Sequence, residues 1–331
     1  MAKGFTAEDA ERASKAGVAA SLRSRLNSGV KSSGSDLIQS RDNKWLKMFR
    51  AASRGGGPES GEPIGVEGPK LVEEALQAGL QTEALLVSEA GERELERILR
   101  AASQTEAGIT RSRILRTTDK LFAGVAGTET PQGIAALFRQ PEWTFEDVLR
   151  GTAMPDGSRR SDAALVVVLA GVQDPGNVGT ILRSAEAFGA TGAIAARGTA
   201  DPWSPKAVRA SAGSALRLPL LRGIAAPIAI AQLRMAQVAV LAATQAHEKS
   251  SEEDYRSEKS RSQTAQFTAD LRGPCAIFIG SEGHGLPPEV ESSADARISI
   301  PMSDAIESLN AAVAASVLLY EAARQRCSVS S

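Results

Sequence analysis

Cysteine and histidine are scarce in this chain of 331 residues, which holds only Cys275, Cys327, His247 and His284. Two thiols cannot build a disulfide framework or a cysteine-rich zinc site, and they suit a reducing cytosol. Two histidines exclude a multi-histidine centre, so no metal is expected. Long apolar runs are missing too: none approaches the ~20 residues that cross a bilayer, so no membrane partner is expected. The first residues lack an apolar stretch behind a basic start, which argues against a secretory signal. Excess charge of one sign is also absent. With 38 Lys plus Arg against 39 Asp plus Glu the net charge is −1, and any attraction for nucleic acid must be local.

The composition that remains, 42% hydrophobic and 23% charged, is that of an ordinary globular protein. Its length suggests roughly two domains. The charge is uneven: eleven Lys/Arg against five Asp/Glu place +6 in residues 1–54 and leave −7 for the rest. Residues 1–37, rich in Ser, Ala and Lys/Arg, read as a flexible basic extension. A small α/β domain is expected over 38–140. VEGPKLVEEALQAG and ERELERILRAAS carry helical spacing, whereas EALLVS, RILRTT and QGIAALFR read as strands. Residues 141–162, with their Pro, Gly and charged residues, read as a linker.

The second domain, 163–331, opens with ALVVVLAG, a continuous apolar run suited to a strand buried on both faces of a parallel sheet. Further strands are expected at GAIAA (192–196), AVLAAT (239–244), CAIFIG (275–280) and ARISI (296–300), with helices between most of them. The alternation predicts an α/β fold with ligand sites beyond the carboxyl ends of the strands. The polar stretch between Gln245 and Asp270 reads as a long surface loop.

Three loops at strand ends carry the polar candidates. In GVQDPGNVGTILRSAEAFGATG, Asn177 is placed to cap a helix from Val178 to Phe188. Arg183 falls opposite that helix's apolar stripe. It is either an exposed partner of Glu186 or a fixed cation near a phosphate or reacting hydroxyl. In FIGSEGHGLPPEV, three glycines let the backbone approach a ligand closely, and Glu282 could accept hydrogen bonds from a ribose or merely cap the next helix. His284 there reads as incidental. In IPMSDAIESLNAAVAASVLLYEAARQR, Asp304 and Glu307 resemble a capping box. Ser308 and Asn310 lie in the first turn, and Leu309, Val313 and Val317 form an expected buried stripe. The glycine fingerprint of dinucleotide sites and the nucleophile elbow of hydrolases are both lacking.

Taken jointly and in this order, the three segments resemble the motifs of the SpoU (TrmH-like) ribose 2′-O-methyltransferases of the SPOUT superfamily. DPGNVGTILRSAEAFGATG is similar to the first motif, IGSEGHGL to the second, and IPM with ESLNAAVAA to the third. DPWSPKAVRASAGSALRLP (201–219) follows the family pattern between them. The front half, with IQSRDNKWLKMFR and VEGPKLVEEAL, resembles the family's accessory RNA-binding domain. Ser303, Asp304 and Ala305 depart from relatives that often have Gly there.

The resemblance implies a parallel catalytic sheet of five or six strands with a deep trefoil knot. S-adenosylmethionine would be held around Ala243, Thr244, Gly280, Ser281, Ile300, Met302 and Leu309. Asn177, Arg183, Glu282, Ser308 and Asn310 match the family's polar active-site positions. It further implies a cytoplasmic homodimer with its active site near the interface. The substrate it implies is structured RNA, ribosomal (23S-type) before tRNA, with a non-catalytic assembly factor as the remaining alternative. Arg41, Lys44, Lys47, Arg50, Lys206 and Arg209 are the candidate phosphate contacts, each with plain surface charge as its competing reading.

Overall fold

The computed structural model describes residues 37–55, 61–102, 113–151, 163–245, 263–264, 269–303 and 308–327. The front segment ends in a two-residue strand, β1 (Leu37–Ile38). Everything that follows belongs to the body that begins at Gln39.

The first layer is built from α1 (Lys44–Ser53), β2 (Ile64–Glu67), α2 (Pro69–Gln77), β3 (Thr82–Ser88), α3 (Glu92–Ala102), β4 (Arg113–Thr117), α4 (Asp119–Ala123) and β5 (Ile134–Phe138). Within the body its strands run β4-β3-β5-β2; β3 and β4 are parallel and the other two pairs antiparallel. Asn43 starts α1 by accepting the Trp45 N–H at 2.8 Å. All five residues of β5 are buried, as its unbroken apolar run requires.

Next comes α5 (Phe145–Arg150), a helix within the stretch read as a linker. A reciprocal Thr144–Asp147 capping box begins it, and Val148 is fully buried. The second sheet then uses β6 (Leu165–Ala170), α6 (Pro175–Ala187), β7 (Gly192–Ala196), α7 (Pro205–Ala210), α8 (Ser214–Arg217), β8 (Leu220–Ile224) and α9 (Ala226–Met235). It continues through β9 (Ala239–Ala243), β10 (Gln263–Thr264), β11 (Cys275–Gly280), α10 (Pro288–Ser293), β12 (Ala296–Ile298) and α11 (Ala311–Cys327). The order is β10-β12-β9-β11-β6-β7-β8, with every pairing parallel. Central β6 is buried at all six positions.

The sheet has seven strands, against the five or six expected. Strand β8 escaped the sequence reading because it lies at one edge and is only partly buried, so LLRGI shows no continuous apolar run. Strand β10 falls inside the stretch read as a surface loop.

Two helix starts also differ from expectation. Helix α6 begins at Pro175, and Asp174, not Asn177, caps it by accepting the Gly176 N–H at 3.1 Å. Helix α11 begins at Ala311 and is capped by Asn310, whose Oδ1 accepts the N–H groups of Ala312 (2.9 Å) and Val313 (3.3 Å). The expected capping pair Asp304 and Glu307 lies outside the described residues. The buried residues of α11 are Ala311, Ala312, Ala315, Leu318, Leu319, Glu321 and Ala322. The expected Leu309–Val313–Val317 stripe is not buried: Leu309 is 36% and Val313 49% exposed. Small alanines turn inward because α11 packs closely on α6, where Ser184 and Ser316 bond through their hydroxyls at 2.7 Å.

Candidate active site

The three polar loops leave the carboxyl ends of β6, β11 and β12 and converge there. Relieved of capping duty, Asn177 in the first turn of α6 donates its Nδ2 to a carboxylate oxygen of Glu282, in the loop after β11. Asn310, ahead of α11, donates its Nδ2 to Oδ1 of Asn177 at 3.2 Å. Three of the five expected active-site residues therefore form one hydrogen-bonded chain.

The Glu282 loop folds back on itself. Ser281 N–H donates to Gly285 O at 2.9 Å and Gly285 N–H returns to Ser281 O at 3.0 Å. A Cβ on Gly280 would stand 2.2 Å from the Gly285 carbonyl carbon, so only glycine permits this closure. His284 N–H donates to Ser281 Oγ at 3.2 Å, which tightens the same turn.

Beneath this loop lies a cavity of about 350 Å³. All seven residues expected at the cofactor line it: Ala243, Thr244, Gly280, Ser281, Ile300, Met302 and Leu309. Glu282 and Ser308 line it too. Its size is that of a small-molecule site. Apolar side chains wall it while Glu282, Glu291, Gln245, His284, the hydroxyls and the loop backbone supply polar atoms, a mixture suited to an adenosine with a charged tail. The N–H of Thr244 is already taken by Ile298 O at 2.9 Å. Sequence reasoning missed Ile279, Leu286, Ile298, Ala314 and Leu318 in this wall. Ile279 and Ile298 lie at strand ends, Leu286 in the loop after β11, and Ala314 and Leu318 on α11; all are apolar, with nothing in the sequence to separate them from core.

Arg183 stands apart. It is exposed and makes no hydrogen bond or ion pair among the described residues. Its expected partner Glu186 is held instead by Arg217, whose Nε and Nη2 donate to the two carboxylate oxygens at 2.9 and 2.7 Å. Asp174 is drawn below its ordinary range, first by the hydrogen bond from Lys206 Nζ at 2.6 Å and then by the Gly176 N–H.

The remaining basic candidates form two groups. Arg41 and Lys44 are exposed, Lys47 pairs with Asp42 at 3.4 Å, and Arg50 Nε donates to Gly124 O at 3.2 Å. Lys44 and Arg113 each approach the Trp45 ring to 5.7 Å. Arg113, absent from the sequence-based candidates, is brought there by β4 from 68 positions away. On α7, Lys206 is engaged by Asp174 and Arg209 is exposed. Among the described residues no group of three or more His, Cys, Asp or Glu side chains is placed to hold a metal ion, and no helix is long and apolar enough to cross a membrane.

Comparison with known proteins agrees with this geometry. Residues 164–320 match the SpoU rRNA Methylase family, and residues 62–136 match the MRM3-like substrate binding domain. The chain is 30% identical to the 23S rRNA (guanosine(2553)-2′-O)-methyltransferase RlmP of Bacillus subtilis, across 77% of this chain and 86% of that protein. It is also 30% identical to rRNA methyltransferase 3, mitochondrial, of Xenopus laevis, across 59% of this chain but only 55% of that longer protein. The crystal structure of the SpoU methyltransferase AviRb from Streptomyces viridochromogenes with the cofactor AdoMet superposes with a TM-score of 0.69. That match is 27% identical and covers 86% of this chain and 99% of that one. With residues 164–320 matched by the family and a 30% identical relative matched over 86% of its own length, this chain belongs to the SpoU rRNA methylase family.

Proposed function

We propose that this protein transfers a methyl group from S-adenosylmethionine to a ribose 2′-hydroxyl of structured RNA, ribosomal RNA of the 23S type before any other. The observation that carries this reading is the cavity lined by all seven expected cofactor residues and edged by the Asn177–Glu282–Asn310 chain. The cofactor would supply an activated methyl group on a sulfonium and leave as the neutral thioether S-adenosylhomocysteine while the hydroxyl proton passes to solvent, so the protein's own task is to bind, orient and ease that ionisation.

Glu282, held by Asn177, presents a fixed carboxylate to a ribose, and Ser308 adds a hydroxyl at the cavity rim. A 2′-hydroxyl is a weak nucleophile and its ionisation needs help. Arg183 gives that help as a cation that stabilises the developing oxyanion or grips the adjacent phosphate. It does not act as the base, because a guanidinium keeps its proton.

The first sheet, within 38–140, serves in this reading as an accessory RNA-binding domain, with 141–162 as its connection to a catalytic domain over 163–331 and 1–37 as an extension. RNA phosphates meet Arg41, Lys44, Lys47 and Arg50 on the accessory side and Lys206 and Arg209 on the catalytic side. The deep knot belongs to the same reading. So does a cytoplasmic homodimer: Val313 and Tyr320, 49% and 54% exposed, leave an apolar face on α11 beside Thr180 and Val317 that a second copy would cover. The active site then lies near that interface, where Arg183 has no competing partner among the described residues of its own chain.

Calorimetry with S-adenosylmethionine, followed by transfer of labelled methyl groups to large-subunit ribosomal RNA from cells lacking this protein, tests the reading. Binding with incorporation that maps to a 2′-O-methylated nucleotide is expected. A folded protein that does not bind the cofactor, or binds it and methylates no ribosomal RNA, would overturn it.

A further inference from the structure

The segment DPWSPKAVRASAGSALRLP has a clear pattern, yet none of its residues except Lys206 touches the polar chain's own helix cap, and none lines the cavity. Its turn is strained. Ala212, which is not glycine, holds φ +46°, and Gly213 follows at φ +83°. Backbone held in this way points to a local task.

Here a carboxylate from the first sheet's layer meets the catalytic layer. Glu74 on α2 reaches across to Arg217 on α8, whose Nη1 donates to it at 3.2 Å. The same guanidinium grips both oxygens of Glu186 on α6. A Cβ on Gly213 would lie 2.4 Å from Glu74 Oε2 and 2.8 Å from Arg217 Nη1, so the turn forms a notch that admits the carboxylate only because residue 213 has no side chain. None of the three charged side chains is more than 32% exposed, which shields the cluster from much of the solvent screening. The apolar core is continuous at the same place, running from Val72 and Phe138 into Val208 and Leu216.

We propose that Glu74, Gly213 and Arg217 form a latch that fixes the RNA-binding layer against α6, the helix that carries Asn177 and Arg183. Glu74 and Arg217 are positioning residues: they touch neither cofactor nor substrate. Their work is to set the span and angle between the place where RNA is gripped and the place where its ribose is methylated. An RNA shape that bridges the two sites pays no cost for ordering the protein, because the ordering is already done. This inference rests on the methyltransferase reading for its consequence, though not for its geometry.

The test uses the full chain with Cys327→Ser and spin labels at Lys120→Cys and Met235→Cys, exposed positions in the two layers. Pulsed electron–electron resonance should give a narrow distance distribution. Glu74→Ala should broaden it, and Arg217→Ala should do so in a second, independently folded variant. In the same proteins without labels, KM for large-subunit ribosomal RNA should rise about fivefold or more. The kcat and the affinity for S-adenosylmethionine should stay unchanged, a split that general loss of structure would not produce. A distribution as narrow in both variants as in the parent overturns the latch. Broadening with an unchanged KM overturns its role in RNA positioning. If the parent itself methylates no ribosomal RNA, the functional reading falls, while the distance measurement still judges the latch.

Discussion

Asn310 donates its side-chain Nδ2 to Oδ1 of Asn177 at 3.2 Å, across 133 residues of sequence. The direction of that bond is set by a helix. The Oδ1 of Asn310 is committed to the N–H groups of Ala312 and Val313, so only its Nδ2 can face Asn177. Asn177 must then turn its own Nδ2 outward, and it meets Glu282. The orientation of the candidate active site is therefore inherited from the orphan donors of α11.

Separating the cap from the relay tests this arrangement. Asn310→Asp keeps an acceptor for the helix and should leave the melting temperature within a few degrees of the parent. It removes the donor to Asn177, and methyl transfer should fall about tenfold, the effect of one lost hydrogen bond of ordinary strength. Asn310→Ala should show the same loss of transfer with an added destabilisation of about 1 kcal/mol from the lost cap. Full activity in the aspartate variant would show that Asn177 needs no such guide.

Arg183 is spared by every structural duty found among the described residues, so its removal should be structurally silent. Arg183→Ala is expected to melt as the parent does and to bind S-adenosylmethionine equally well. Methyl transfer should drop by roughly a hundredfold, the usual cost of losing one charge-stabilising donor. An unchanged kcat would remove Arg183 from the chemistry.

Asp174 gives a pH signature to the start of α6. Its carboxyl is held below its ordinary 3.8, first by Lys206 and then by the Gly176 N–H. A group whose folded pKa is depressed adds stability above its unfolded pKa and loses it as the pH falls through the folded value. Asp174→Asn should therefore melt lower than the parent at pH 6, and the two curves should draw together below about pH 4. A gap that does not shrink at all between pH 6 and pH 3 would mean that the cap matters through shape and not through charge.

Arg41 and Lys44 are exposed, Lys44 beside Trp45, and neither has a carboxylate partner among the described residues. Replacing both by alanine should weaken RNA binding and flatten its dependence on salt. The slope of log K against log salt should fall by about 0.7 to 0.9 for each phosphate contact removed. Lys47→Ala, which breaks an exposed pair with Asp42, should change the slope less. Equal slopes for parent and double variant across a salt series would remove this surface from the RNA path.

What the sequence by itself determined is local or repetitive. ALVVVLAG reads as a strand buried on both faces, because seven apolar residues in a row have no polar side to offer water, and all six positions of β6 are buried. The three strand-end loops and their glycines were legible from residue type alone, whereas the seven cavity residues came only from the resemblance to the SpoU family. Only the tertiary structure decided which residue does what. Asn177 looked like a helix cap until Asp174 took that place, three residues earlier. Glu186 looked like a partner for Arg183 until Arg217 arrived from 31 residues away with a bidentate grip. The Val313 stripe looked buried, since periodicity marks an apolar face without naming what covers it, and the small alanines won the inner side. In the first two cases the candidate partners were similar in chemistry and both within reach along the chain. A hydrogen bond extends only about 3 Å, so the fold, and not the spacing, chose between them.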